Sequence, residues 1–233
     1  MQKTNYGQAR LSIIPIRAKA QHSSEMVSQL LYNETYSILS EQEEWVHIEC
    51  LHDGYQGWIA KNQVHYISQE IFDTPFKRYN PELIEWDQQL ETNLFMGSPF
   101  YDISPSITPP IERICCAAQQ FINTPYLWGG RTGAGIDCSG LMQTAFRMGY
   151  ILLPRDAYLQ AELGKTISWG TQKRGDLAFF ENKEGKITHV GLLLSPDSIL
   201  HASAWVRVDA INKIGIFHKN TATHQLAFIK RMR

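Results

Sequence analysis

From about Ser12 to Ile67 the chain is a series of short apolar runs with alternating or β-branched character: LSIIPIR, VSQLLYN, TYSILS, WVHIEC and GYQGWIA. Alternation with period two marks half-buried strands, and polar turns such as LHDGYQG separate the runs. With Asp53 and Gly54 at a turn and Trp45 and Trp58 as bulky apolar anchors, the spacing predicts a small all-β barrel. Beyond it, two apolar fragments, PELIEWDQQL and NLFMGSPFYDI, are broken by Pro75, Pro81, Pro99, Pro105, Pro109 and Pro110. This stretch reads as a structured connector over 71–107.

After Thr108 the period changes. Ile111, Ile114, Cys115, Ala118, Phe121 and Ile122 fall at helical spacing behind a Thr-Pro-Pro start. A glycine-rich loop then runs to Cys138, and Leu141, Met142, Ala145, Phe146 and Met148 predict a second helix closed by Gly149. Cys138 therefore sits at a helix N-terminus. GDLAFFE, KITHVGLLL, SILHAS and LAFIKR predict four strands, the middle two joined by Ser195, Pro196 and Asp197. Helices followed by an antiparallel sheet place the second region in the α+β class.

Composition narrows the function classes. The 233 residues suit one large domain or two modest ones, and 43% hydrophobic with 19% charged residues is a globular balance. Lys+Arg 22 against Asp+Glu 23 gives a net charge of −1, so no basic field exists for nucleic acid or for an anionic membrane surface. No run approaches the roughly 18 apolar residues of a membrane helix, and the first residues lack the apolar core of a signal peptide, which gives the expectation of a cytosolic protein. The cysteines are Cys50, Cys115, Cys116 and Cys138, without a CxxC pair, so neither a disulfide framework nor a zinc ribbon fits.

A thiol attacks as thiolate, and a helix N-terminus favours that anion through unpaired N–H groups and the macrodipole. Cys138 has this position, and Asp137, Ser139 and Gly140 around it allow a sharp turn and close approach to a bound carbonyl. His189 interrupts an apolar strand. By itself it also fits a satisfied core histidine. His201 follows twelve residues later on the next predicted strand, so both rings fall on one face if the register allows. A Cys nucleophile, a His base and a third group that orients the base form the general arrangement for acyl transfer. A zinc site from the same Cys and two His competes with it but lacks short-range ligand pairing. Acyl transfer of this kind needs neither metal nor organic cofactor.

The blocks TPYLWGG, DCSG, THVG and LHAS, in this order, resemble the signature of the NlpC family of bacterial cell-wall cysteine peptidases. The resemblance implies a papain-like α+β domain over 108–233. Cys138 would be nucleophile, His189 base, and His201 the orienting group. Tyr126 would hold the oxyanion with the Cys138 N–H, and Trp128 would shape the pocket. The order EEWVHIEC…GYQGWIAKNQV resembles a bacterial SH3-like domain over 1–70. Together with LPRDAYLQ, it resembles the subgroup that cleaves the bond between γ-D-Glu and the diamino acid in murein peptides with a free N-terminal L-alanine. That resemblance implies Asp156, Glu25 and Tyr55 as ligands of the substrate amine, with Asp137, Ser139 and Arg155 also on the substrate. The expected partner is a murein peptide, with no nucleic acid and no membrane. An acyltransferase or amidase on the same machinery, and a non-catalytic wall-binding protein, are the rival readings. Sequence leaves the diamino acid and the oligomeric state open.

Overall fold

A computed structural model describes residues 5–101 and 110–232 of the chain. It divides into two units, one of Met1–Ile107 with Trp128–Gly133 and one of Thr108–Leu127 with Ala134–Arg233. The helix start expected at Thr108 and Pro109, and part of the 71–107 connector, lie outside the described residues.

The first unit carries strands β1 (Tyr6–Gln8), β2 (Ile13–Arg17), β3 (Met26–Leu31), β4 (Thr35–Gln42), β5 (Trp45–Cys50) and β6 (Gln56–Ala60). They form one antiparallel sheet in the order β1-β4-β5-β6-β2-β3. Alternation explains it: Ile14 and Ile16 of β2, and Val46, Ile48 and Cys50 of β5, all point into one core with Leu30, Tyr36 and Ile59. Gly54 takes φ +70° at the turn before β6, where Asp53 Oδ1 accepts from the Tyr55 N–H at 3.0 Å. After this sheet, a short helix α1 (Gln69–Asp73) is N-capped by Ser68, and β7 (Arg78–Tyr79), β8 (Ile84–Asp87), β9 (Thr92–Phe95) and β10 (Pro99–Phe100) make two small antiparallel pairs within the first unit.

The stretch Trp128–Gly133, with β11 (Arg131–Thr132), is anchored within this unit. The Arg131 N–H donates to Gln29 Oε1 at 2.8 Å, and its guanidinium donates to both Glu34 oxygens at 2.9 Å. Gly129 has φ +77°, and a Cβ there would stand 2.3 Å from the Met26 carbonyl oxygen, so only glycine fits this approach.

The second unit begins with α2 (Pro110–Gln120), followed by β12 (Gly135–Ile136), α3 (Cys138–Met148) and α4 (Ala157–Gln160). Strands β13 (Lys165–Ile167), β14 (Leu177–Glu181), β15 (Ile187–Ser195), β16 (Ser198–Ser203), β17 (Trp205–Ile211), β18 (Gly215–His218) and β19 (Thr221–Arg231) complete it. The sheet runs β13-β19-β14-β15-β16-β17-β18, and β18 also pairs with β19, so β14 to β19 close into a ring. Ala178, Phe180, Leu193, Ile199, Ile211, Ile216 and Ile229 fill its interior.

Two expectations change here. The large sheet of the second region has three further strands, β13, β17 and β18; polar residues such as Arg207 and Asp209 interrupt β17 and mask its period. Gly149 does cap α3, but its φ is −87°, and the left-handed residue is Tyr150 at φ +61°. Glycine is needed at 149 for space, because a Cβ there would lie 2.6 Å from the Ile114 side chain of α2. α2 packs on α3 and buries Ile114, Cys115, Ala117 and Ala118, and α3 in turn lies against β15 and β16. Covered on both faces, β15 is buried continuously from His189 to Leu193.

Candidate active site

Asp137 sets the start of α3: its extended backbone precedes the helix, and its Oδ1 accepts from the Gly140 N–H at 2.7 Å. Cys138 is thereby the first helical residue, as its sequence context predicts. Its sulfur is buried, and the backbone N–H groups of Ser139 and of Val190 hydrogen-bond its anionic form. Val190 follows His189 directly on β15, so the strand that carries the histidine lies against the thiol.

His189 Nε2 and His201 Nδ1 are 2.9 Å apart. The cross-strand register that puts both rings on one face is present, and Gly191 makes it possible, since a Cβ there would come within 2.9 Å of His201 Cβ. A β-bulge between Phe180 and Glu181, which lets Thr188 stand without a partner between Ile187 and His189, adjusts the strand just before the imidazole.

Electrostatics make the resting pair neutral. Burial, then the Asp137 carboxylate, pushes the Cys138 thiol up to about 12, against the Val190 N–H, Arg155 and the Ser139 N–H. Burial pushes His189 well below its usual value, and the charges of His224, His201 and Arg207 add to this. Burial and the capping carboxylate thus act against the anion-favouring position of Cys138 at the helix start. Such an arrangement can support nucleophilic attack in which the thiol proton passes to a neutral imidazole.

Tyr126 is half-buried, and its hydroxyl is pushed up by burial and then by Cys138 and Asp137, which places it within their field. Arg155 reaches both Asp137 oxygens, at 3.0 and 2.5 Å, and Ser139 Oγ at 2.9 Å. Asp137, Ser139 and Arg155, expected on the substrate, thus bind one another, and Gln160 Nε2 adds a bond to the Ser139 carbonyl at 3.0 Å. Asp156 is half-buried ahead of α4; its carboxylate does not cap that helix and instead accepts from the Tyr158 hydroxyl. Glu25, Tyr55 and Trp128 belong to the other unit, where Glu25 and Trp128 are exposed and Tyr55 is half-buried.

Sequence reasoning missed Asp209 and His224. Asp209 Oδ2 accepts from His201 Nε2 at 3.0 Å and from Arg207 Nε at 2.8 Å, and its Oδ1 accepts from His218 Nδ1 at 2.8 Å. Only the period-two pair Arg207 and Asp209 hinted at a shared face. His224 stacks on His189 with centroids 4.2 Å apart; its signal was its phase with Leu226.

One nitrogen each from His189, His201 and His224 lie within 4.8 Å of one another, a spacing that invites a metal. Lone pairs lie in the plane of the imidazole, however, and the His189 and His224 planes are within 23° of parallel. Their lone pairs do not converge on one point, whereas a tetrahedral zinc needs nitrogens at about 2.0–2.1 Å from one centre. The trio is built for stacking and hydrogen bonding.

Residues 123–225 match the NlpC/P60 family, and residues 16–64 match the bacterial dipeptidyl-peptidase Sh3 domain. The chain is 30% identical over 213 residues to the gamma-D-glutamyl-L-lysine dipeptidyl-peptidase of Bacillus subtilis, covering 75% of this chain and 71% of that one. It is 23% identical over 231 residues to the Bacillus cereus protein of the same name, covering 78% and 68%. A crystal structure of an NlpC/P60 family protein from Bacillus cereus has the same fold, with a TM-score of 0.80 at 16% identity over 97% of this chain and 99% of that one. A thiol at a helix start, a two-histidine relay on adjoining strands and these relatives lead to one conclusion: the chain belongs to the NlpC/P60 family and is a cysteine endopeptidase with an N-terminal bacterial SH3-like domain.

Proposed function

We propose that this peptidase hydrolyses the γ-D-glutamyl–diamino acid bond of murein peptides that carry a free N-terminal L-alanine, in cytosolic recycling of wall fragments. The observation that carries this reading is the joint presence of the NlpC/P60 domain and a dipeptidyl-peptidase Sh3 domain in a chain similar to relatives named gamma-D-glutamyl-L-lysine dipeptidyl-peptidase.

In this reading the second unit works as a papain-like domain. Cys138 Sγ attacks the γ-glutamyl carbonyl carbon as its proton passes to His189. The Cys138 N–H and the Tyr126 hydroxyl face the oxygen that gains charge. Collapse of the tetrahedral intermediate breaks the C–N bond, and His189 returns its proton to the departing amine of the diamino acid. Water, deprotonated by His189, then cleaves the thioester and regenerates the thiol. Asp156 supplies a carboxylate for the cationic amine of the substrate, a group costly to desolvate without an opposite charge.

Incubation with L-Ala-γ-D-Glu-diaminopimelate, with products identified by mass, tests bond and substrate together. The expected products are L-Ala-γ-D-Glu and free diaminopimelate. Cleavage at another bond, or equal kcat/KM for the N-acetylated tripeptide, would overturn the substrate assignment. Cys138→Ala should abolish turnover, while Cys50→Ala, Cys115→Ala and Cys116→Ala leave it.

A further inference from the structure

We infer that Asp209 is a positioning residue of this active site: it fixes the tautomers of His201 and His189 in sequence, so that the free lone pair of His189 is on Nδ1. The inference rests on His189 being the base, as proposed above.

One line of hydrogen bonds sets both tautomers. Burial alone would raise the Asp209 carboxyl, but bonds from His218, His201 and Arg207 outweigh it and hold the group below the usual carboxylate range. An ionised carboxylate only accepts. The contact of His201 Nε2 with Asp209 Oδ2 at 3.0 Å therefore places the proton on His201 Nε2. His201 is wholly buried and held neutral near pH 7, so its Nδ1 carries a lone pair. That lone pair stands 2.9 Å from His189 Nε2, which must be the donor. One proton remains for His189, and it is used there, which leaves Nδ1 as the basic atom. Reversing either histidine would set two lone pairs or two N–H groups against each other.

Asp209 is itself held. Arg207 stands opposite His201 in the strand register and donates to Oδ2 at 2.8 Å, while His218 of β18 binds Oδ1 at 2.8 Å. Arg207 also donates to the Ser203 carbonyl and lies 4.7 Å over the Trp205 ring. The charged and titratable groups around His201 are thus His189 on β15, Arg207 and Asp209 on β17 and His224 on β19, with His218 behind Asp209.

The test compares Asp209→Ala with Asp209→Asn in the full chain. Loss of the acceptor should lower kcat by about 10–100-fold, the usual cost of removing an orienting partner, with KM little changed. Asn should restore most of this, because its oxygen fits where Arg207 and His201 both donate. The direct readout is histidine 15N chemical shift without substrate. Parent and Asn variant should show His201 protonated at Nε2 and His189 at Nε2, and the Ala variant should lose this pattern; if Ala does not fold, the tautomers of the parent decide. Unchanged tautomers and kcat within twofold in Ala would overturn the inference, as would a parent whose His201 carries its proton on Nδ1. Because the tautomer signal needs no peptide, its failure is separate from failure of the substrate assignment.

Discussion

His224 lies flat against His189, with ring centroids 4.2 Å apart and planes inclined by 23°. A charge on the outer imidazole discourages the inner one from taking a proton. His189 is pushed below its usual value by burial first and by the charge of His224 next. His224→Phe keeps an aromatic ring in the stack and removes the ionisable neighbour. With His189 as the base proposed above, activity would require its neutral form, so the acid limb of kcat/KM against pH should lie below the usual histidine value in the parent. It should move to higher pH in the variant. An acid limb at the same pH in both would show that the charge of His224 does not reach the base.

The same burial makes folding pH-dependent. His201 is lowered to about 4 by burial, with Asp209 opposing and Arg207 assisting. Between the unfolded value of about 6.5 and the folded one, the unfolded chain binds more protons than the native one, so stability rises with pH in that window. The contribution is complete above about 6.5 and is lost as pH falls toward 4. Urea midpoints should therefore drop between pH 7 and pH 4, and the drop should be smaller in His201→Gln. An equal drop in both proteins would assign the effect to other groups.

How much of this was legible in sequence depends on how far apart the partners lie. The helix start at Cys138 was legible because Asp137 is the adjacent capping residue and the apolar period of α3 begins at once. His189 and His201 were legible because one short hairpin joins their strands, so distance along the chain fixes the register. Gly191 in the same block has its reason in three dimensions, as the gap that His201 fills. Asp209 was not legible, because β17 carries Arg207 and Asp209 among half-exposed positions and reads as a surface strand until its pairing with β16 is known. His224 needs still more: β19 meets β14 in a long-range pairing, with a bulge between Phe179 and Phe180, before its ring can reach His189. The mutual binding of Asp137 and Arg155 was hidden because chemistry next to a nucleophile resembles substrate recognition from sequence alone.

In the first unit, Arg131 and Glu34 form a bidentate pair with side chains 1% and 2% exposed. Removing one partner leaves a charge in a closed space, which typically costs about 3–5 kcal/mol. Glu34 also accepts the Leu31 N–H at 2.8 Å, so Arg131→Met should fall near the lower end, about 3 kcal/mol. The double variant Arg131→Met with Glu34→Gln should recover part of the loss, since no net charge is then buried. Urea unfolding monitored by tryptophan fluorescence would measure both. A double variant less stable than the single one would show that Glu34 acts mainly through its bond to the Leu31 N–H.

Arg155 gives the sharpest separation between supporting and binding roles. Its guanidinium is spent on Asp137 and Ser139, the two neighbours of Cys138, and its side chain is 2% exposed. If it served substrate, its loss would raise KM. As support for the capping residue of α3, its loss should instead lower kcat and stability together, because Asp137 would remain as a buried charge beside the thiol and would raise the cost of forming the thiolate further. Arg155→Lys should repair little: an ammonium cannot span both Asp137 oxygens and Ser139 Oγ with the fixed fork those three bonds require. Arg155→Met combined with Asp137→Asn should regain stability, since the unpaired carboxylate is gone and the amide oxygen still caps the Gly140 N–H. Steady-state kinetics and thermal unfolding on the three variants distinguish the roles. A rise in KM with unchanged kcat and unchanged melting temperature in Arg155→Met would return this residue to the substrate.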